Sequence, residues 1–568
     1  MGYKEDKEAF VSHATGGSVS RINAVSLVAV TSYALWTVAH RRWLAHLPPN
    51  DWRIPCVEFT LLVLPLLLSL TILSSHPYLL NLALSLLAVV WSRLPTHERS
   101  LSPPLSPTLS KKPPPLTAAP QPFARPFVTS YRAVMMVMTV LCILAVDFPA
   151  FPREFAKAET WGTSLMDLGV GSFVFSLGLV AALPFLRHAA AAPPSPLAAR
   201  HHPSAPSPMQ AYLSALARTA RKTAPLVALG LVRVVMVKGV DYPEHTTEYG
   251  VHWNFFFTLA LLPVFGEAVA RVAVARGWDL HAAGLGVAML HEFVLRALGL
   301  QRWALDAPRT TLLSQNKEGL TSFPGYLSIY LVGLATGLYV LPPSPSFFRL
   351  HSRPSSSPST PAEARRLADK RAKAADARKP REGRRAEWLG SAAVWYWAAW
   401  AVGQWVTPGG VSRRLVRRAR FPLPPLPTGA RKTDALPPCF PRSARACPVA
   451  PEQANAAYVL WTAAFNCSFL VLYLGVHHWA SSSSSQSRGT DTAGRQVPLP
   501  LGPPRLFEAV NRNGLVVFLV ANLLTGLTNL SLRTLYASDA LALAVLAAYA
   551  AAVCGVAWAL RGRRVQLG

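Results

Sequence analysis

Residues 140–176 read VLCILAVDFPAFPREFAKAETWGTSLMDLGVGSFVFS, and the way this stretch changes character decides the fold. An apolar run carries straight into Asp147. Pro149 and Pro152 then break any helix. A polar segment follows with Arg153, Glu154, Lys157 and Glu159. A second apolar run begins at Trp161 and takes in Asp167. A carboxylate at the edge of a membrane-length run is costly, so Asp147 is a functional candidate by default. The plain alternative is that Asp147 and Lys157 cap two helix ends.

The same alternation fills the chain. Its 568 residues are 51% hydrophobic and 15% charged. The apolar residues fall into blocks of about 20, the length that crosses a bilayer core as a helix. This predicts an all-α, polytopic integral membrane protein. The net charge of +28 comes from 56 Lys and Arg against 28 Asp and Glu. Nucleic acid is excluded as the partner, because the basic residues sit in Pro/Ser/Ala-rich gaps with no aromatic interleaving. Cys56, Cys142, Cys467 and Cys554 lie in or beside apolar runs, as small hydrophobes do. Cys439 and Cys447 share one loop and could pair, but nothing supports a zinc site or a disulfide framework. The first apolar run lacks a basic leader and cleavage site and reads as a signal anchor.

Thirteen transmembrane helices are expected, at about 22–40, 55–74, 77–93, 127–147, 162–186, 223–240, 252–275, 281–298, 323–342, 387–406, 455–478, 506–530 and 536–560. Three regions follow. Residues 1–342 form an N-terminal membrane part with the candidate catalytic loops. Residues 343–386 form a basic, low-complexity cytosolic linker. Residues 387–568 form a C-terminal membrane part with a low-complexity loop at 407–452. Lys and Arg favour cytosolic loops, which places the N-terminus on the lumenal side. The basic loop 407–452 is the one conflict. On this assignment the loops 148–161 and 241–251, the residues 316–319 and the segment 15–18 all converge on one polar face, which suggests a site.

Two further stretches carry chemistry. In residues 238–259, Asp241, His245, Glu248 and His252 recur at helical spacing, with Lys238, Glu244 and Asn254 nearby. Two histidines and two acids could bind a metal. Pro243 and Gly250 interrupt a regular helix, so hydrogen bonding to a hydroxyl-rich substrate is preferred and no metal is expected. In residues 314–333, Asn316, Lys317 and Glu318 stand just before a span. Glu318 suits a helix N-terminus; Lys317 does not. Asn522, Thr525 and Asn529 lie in an apolar run, where such residues usually bond between helices. The sequons at Asn466 and Asn529 also lie in apolar runs and read as unused. No nucleophile elbow, phosphate-binding loop or HExxH motif is present. A polytopic lipid transporter or scramblase would carry its polar groups near mid-span in broken, paired helices. Clustered polar loops on one face favour an enzyme. A metal-dependent lipid hydrolase using His245 and His252 is a third reading.

Six blocks resemble one family. They are FVSHATGGSVSRINAVS (10–26), residues 143–176 of the opening stretch, VKGVDYPEHTTEYGVHWNFFFTL (237–259), NKEGLTSFPGYLSIYL (316–331), NAAYVLW (455–461) and NRNGLVVFLVANLLTGLTNLS (511–531). In order and content they are similar to the fungal GPI-anchored wall transfer proteins and their animal counterpart, phosphatidylinositol glycan class W. The resemblance implies a multi-pass acyltransferase of the endoplasmic reticulum membrane. It would move a fatty acyl group, typically palmitoyl, from acyl-CoA to the inositol of glucosaminyl-phosphatidylinositol, with acyl-CoA as co-substrate and no cofactor. Such transfer needs a base near the hydroxyl and positive charge near the developing oxyanion. Asp147 is the candidate base. Lys157 could pair with it, or steady the oxyanion or the substrate phosphate. His245 or His252 is the alternative base. The substrate-binding candidates are Lys238, Asp241, Glu244, His245, Glu248, His252, Asn254, Asn316, Lys317 and Glu318.

Overall fold

The computed structural model describes residues 3–11, 14, 16–48, 50–94, 125–158, 162–190, 207–238, 250–342, 382–406, 454–482, 488–490, 496–498 and 501–565. Helices dominate. In chain order they are α1 (Tyr3–Val11), α2 (Val19–Arg42), α3 (Arg53–Leu62), α4 (Leu64–Leu70), α5 (Pro77–Arg93), α6 (Pro126–Ala145), α7 (Leu165–Ala190), α8 (Pro208–Lys238), α9 (Phe255–Arg276) and α10 (Leu280–Ala297). There follow α11 (Leu300–Asp306), α12 (Leu312–Gln315), α13 (Lys317–Val340), α14 (Glu382–Val406), α15 (Ala456–Ser482), α16 (Arg505–Arg512), α17 (Gly514–Ser531) and α18 (Asp539–Ala559). A short antiparallel pair, β1 (Arg488–Thr490) with β2 (Gln496–Pro498), sets Gly489 opposite Val497 in the stretch between α15 and α16.

Local chemistry sets the helix starts. Pro65, Pro77 and Pro126 open α4, α5 and α6, where a missing N–H costs nothing. Ser18 caps α2 by accepting from Arg21 N at 3.3 Å, and Asn254 caps α9 by accepting from Phe256 N at 3.0 Å.

Each of the thirteen expected stretches contains a helix. Among the described residues, nine helical segments are long and apolar enough to cross a membrane: α2, α3 with α4, α6, α7, α9, α13, α15, α17 and α18. The reasons for the difference are visible. At 17 residues, α5 is about 26 Å long, short of a core of ~30 Å. Charge dilutes α8, through Arg218, Arg221, Lys222 and Arg233, and α10, through Glu292 and Arg296, while Trp395, Tyr396, Trp397, Trp400 and Gln404 lower the hydropathy of α14.

The tightest helix pair is α7 with α13. Gly333 and Gly337 of α13 lie four residues apart, and Gly178 of α7 faces them. A Cβ at Gly333 would overlap the Phe175 carbonyl oxygen; one at Gly337 would overlap that of Leu179; one at Gly178 would overlap that of Tyr330. Small residues at this spacing let two backbones touch, which is how membrane helices associate without a hydrophobic driving force.

Polar contacts sort the helix ends into two sets. At one end the N-terminal segment, the 147–163 loop and the end of α17 meet. Gly17 N donates to Thr163 O at 2.8 Å, and Arg21 pairs with Glu154 at 3.0 Å. A second set joins the ends of α6, α13, α17 and α18 to the chain after α18 and to the stretch between α2 and α3. Asn513 Nδ2 donates to Leu560 O and Arg563 O, Arg561 Nη2 to Asn50 Oδ1, and Arg125 Nε to Leu341 O.

One carboxylate ties the N-terminal helices to the C-terminal ones. Glu58 of α3 is 1% exposed. It accepts from Trp36 Nε1 at 3.2 Å, Arg505 N at 3.0 Å and Leu506 N at 2.6 Å, so it caps α16 across the bundle. Glu58→Ala leaves three buried donors without an acceptor, at about 1–3 kcal/mol each. The expected result is a clear fall in the thermal transition of the detergent-solubilised protein, with a smaller fall for Glu58→Gln, which keeps one oxygen.

Candidate functional site around Asp147

Helix α6 stops at Ala145, and the chain turns over Pro149 and Pro152 into a single 3₁₀ turn, Arg153–Phe155. Phe148, Phe151 and Phe155 are fully buried and anchor this loop to the bundle. The loop is pinned a second time by Asp167, whose Oδ2 accepts from Ala158 N at 3.0 Å and from Ser164 Oγ at 2.7 Å. Asp167 thus serves the loop that carries Lys157, and Lys157 itself is half-buried.

Both oxygens of Asp147 are engaged. Oδ2 accepts from Asn529 Nδ2 of α17 at 2.8 Å, and Oδ1 lies 3.4 Å from Lys7 Nζ of α1. Lys7 Nζ also donates to Asn529 Oδ1 at 3.0 Å, which closes a ring of three side chains. Thr534 Oγ1 supports Asn529 Oδ1 at 3.3 Å. Among the described residues, the ion pair to Asp147 thus comes from Lys7. Side-chain exposure is 22% for Lys7 and 11% for Asp147, so the pair reaches the surface of the bundle.

Arg153 stands behind this ring. Its Nη2 donates to Val146 O at 2.9 Å, and its guanidinium lies over the Phe10 ring of α1 at 4.2 Å. Burial pushes the Arg153 guanidinium down to about 10, a shift that the charge of Asp147 partly opposes.

A second cluster lies around residues 250–254 and 307–318. Asn316 Oδ1 accepts from His252 N at 2.9 Å and Trp253 N at 2.8 Å, while its Nδ2 donates to Leu312 O. Gly250 has φ +112°, and a Cβ there would press on Gln315 O and the Asn316 backbone. Asn316 is therefore a clamp on this turn. His252 Nε2 and Gln315 Oε1 are 3.2 Å apart. Glu318 receives a two-pronged bond from Arg309, at 2.6 and 3.0 Å, and Lys317 Nζ donates to Ala307 O at 2.7 Å. Asn254 Nδ2 reaches Gly230 O at 2.9 Å and ties α9 to α8.

Asp241, Glu244, His245 and Glu248 lie outside the described residues, and Lys238 is the last residue of α8. The metal reading rests on those residues; among the described residues no three His, Cys, Asp or Glu gather as a metal would need. The sequence reading noted Asn529 as an inter-helix bonding residue but did not connect it to Asp147, and it passed over Lys7, Arg309 and Glu58.

Comparison with known proteins places the chain. A protein of Aspergillus oryzae named GPI-anchored wall transfer protein 1 is 38% identical over all of this chain and 99% of its own length. Proteins of the same name from Cryptococcus neoformans var. grubii and Yarrowia lipolytica are each 34% identical. The first covers 100% of this chain and 100% of itself, the second 99% and 98%. Residues 3–419 and 440–560 match the profile of the GWT1 family, and the chain belongs to that family.

Proposed function

We propose that this chain is an O-acyltransferase of GPI-anchor biosynthesis in the endoplasmic reticulum membrane. It moves a fatty acyl group, palmitoyl by preference, from acyl-CoA to an inositol hydroxyl of glucosaminyl-phosphatidylinositol. The observation that carries this reading is Asp147: a carboxylate held at both oxygens, at the polar end of a bundle of membrane-length helices, beside a lysine ammonium. The family membership and the relatives' names support the pathway.

The chemistry asks little else of the protein. Asp147 takes the proton of the inositol hydroxyl as its oxygen attacks the thioester carbonyl. The new C–O bond leaves a tetrahedral oxyanion, which Lys157 steadies. The C–S bond then breaks, and the thiolate of CoA leaves and takes up the proton. Asn529 keeps the carboxylate aimed, since a base works only within hydrogen-bond reach of its proton. The end of the bundle that holds Asp147 faces the lumen.

The purified protein, reconstituted with glucosaminyl-phosphatidylinositol and labelled acyl-CoA, should place label in the glycolipid. No transfer by a folded, membrane-inserted protein would refute the reading.

A further inference from the structure

We propose that Lys7, supplied by α1, binds the phosphodiester of the glycolipid acceptor, and that it positions Asp147 until the acceptor arrives. This rests on the acyltransferase reading and adds to it a binding residue from a segment that had no role. In a phosphoinositide the phosphodiester and its flanking ring hydroxyls are neighbours. A cation for the phosphate must therefore stand beside the base for the hydroxyl. Lys7 Nζ stands 3.4 Å from Asp147 Oδ1, and this pair is partly open at the bundle surface.

The simpler account is that Lys7 only docks α1. Other groups already do that. The Tyr3 and Tyr536 rings meet edge-on at 5.5 Å, Tyr536 Oη donates to Asp6 Oδ2 at 2.5 Å, and Phe10 lies under Arg153. A nine-residue helix is marginal by itself, so these contacts define where α1 sits. A partly exposed ion pair adds little to such docking. It does fix the rotamer of Asp147. Lysine also suits an exchange of partners, being a point charge on a flexible stem. When the phosphodiester enters, it takes Lys7 Nζ from Asp147 Oδ1. Asn529 keeps Oδ2, and the freed oxygen faces the hydroxyl.

The test uses the full chain in nanodiscs, with Lys7→Met, Lys7→Arg and the docking control Tyr536→Phe. Lys7→Met should raise KM for glucosaminyl-phosphatidylinositol about tenfold or more, the scale of one lost charge-assisted hydrogen bond. KM for acyl-CoA should not change, and Lys7→Arg should restore most of the loss. A binding arm needs no turnover: glycerophosphoinositol should displace the glycolipid from the wild type and do so much more weakly from Lys7→Met. Equal rises in both KM values, an effect on kcat alone, or the same split in Tyr536→Phe would overturn the proposal. If the wild type transfers no acyl group yet binding still depends on Lys7, the acyltransferase reading fails and the phosphate site stands.

Discussion

Asp147→Asn should lower acyl-transfer turnover by about 10²–10⁴-fold, the range a positioned general base contributes. Asparagine keeps the shape of the side chain and an oxygen for Lys7, but its amide nitrogen then meets the Asn529 Nδ2 donor, so the ring loses one hydrogen bond, about 0.5–1.5 kcal/mol. What it cannot do is accept a proton. KM for either substrate should move far less than kcat, and the thermal transition should fall only slightly, so the loss of turnover is not a loss of folded protein. Lys157→Ala should give a comparable loss for a different reason, because the oxyanion loses its cation. Near-normal turnover in Asp147→Asn, with loss only on replacing His245 or His252, would move the base to that histidine.

Gly333→Val should be strongly destabilising to the bundle. The first added carbon already overlaps the Phe175 carbonyl oxygen, which is backbone and cannot step aside as a side chain would. The two helices must separate, and Gly337 and Gly178 lose their contacts with them. Overpacking of this kind costs about 1–3 kcal/mol. Loss of thermal stability in detergent, together with poor recovery from membranes, would show it. A similar substitution at Gly286, where a Cβ meets nothing within 4 Å, is the control. A variant at Gly333 as stable as that control would show that the α7–α13 seam yields.

The helices were legible because apolarity is a local property, written run by run. The number of spans was less legible, since an apolar run can also belong to a long helix diluted by charge, as in α8, or by Trp, Tyr and Gln, as in α14. The site was legible in part. Asp147 announced itself as an acid at the edge of an apolar run, and Glu58 gave the same signal from inside the 55–74 run. Lys7 gave none. It stands in a polar segment whose charges are ordinary, and its meaning comes from a contact across 140 positions. Asn316 shows the converse. Beside Lys317 and Glu318 it reads as a ligand set, and in the fold its Oδ1 accepts from two backbone N–H groups while its Nδ2 donates to Leu312 O. Nothing in a one-dimensional pattern distinguishes a polar side chain that waits for a substrate from one already satisfied by the backbone.

The ring of Lys7, Asp147 and Asn529 also bears on how the protein is made. Lys7 and Asn529 are 522 residues apart in sequence. At ribosomal rates of about 5–20 residues per second, Lys7 waits roughly half a minute to nearly two minutes for its partner to be synthesised. Through that interval the earlier helices enter the membrane with Asp147 lacking Asn529. A chain that stalls before α17 is inserted would carry an exposed carboxylate at a bilayer edge. That is a feature by which quality control could tell an unfinished molecule from a finished one.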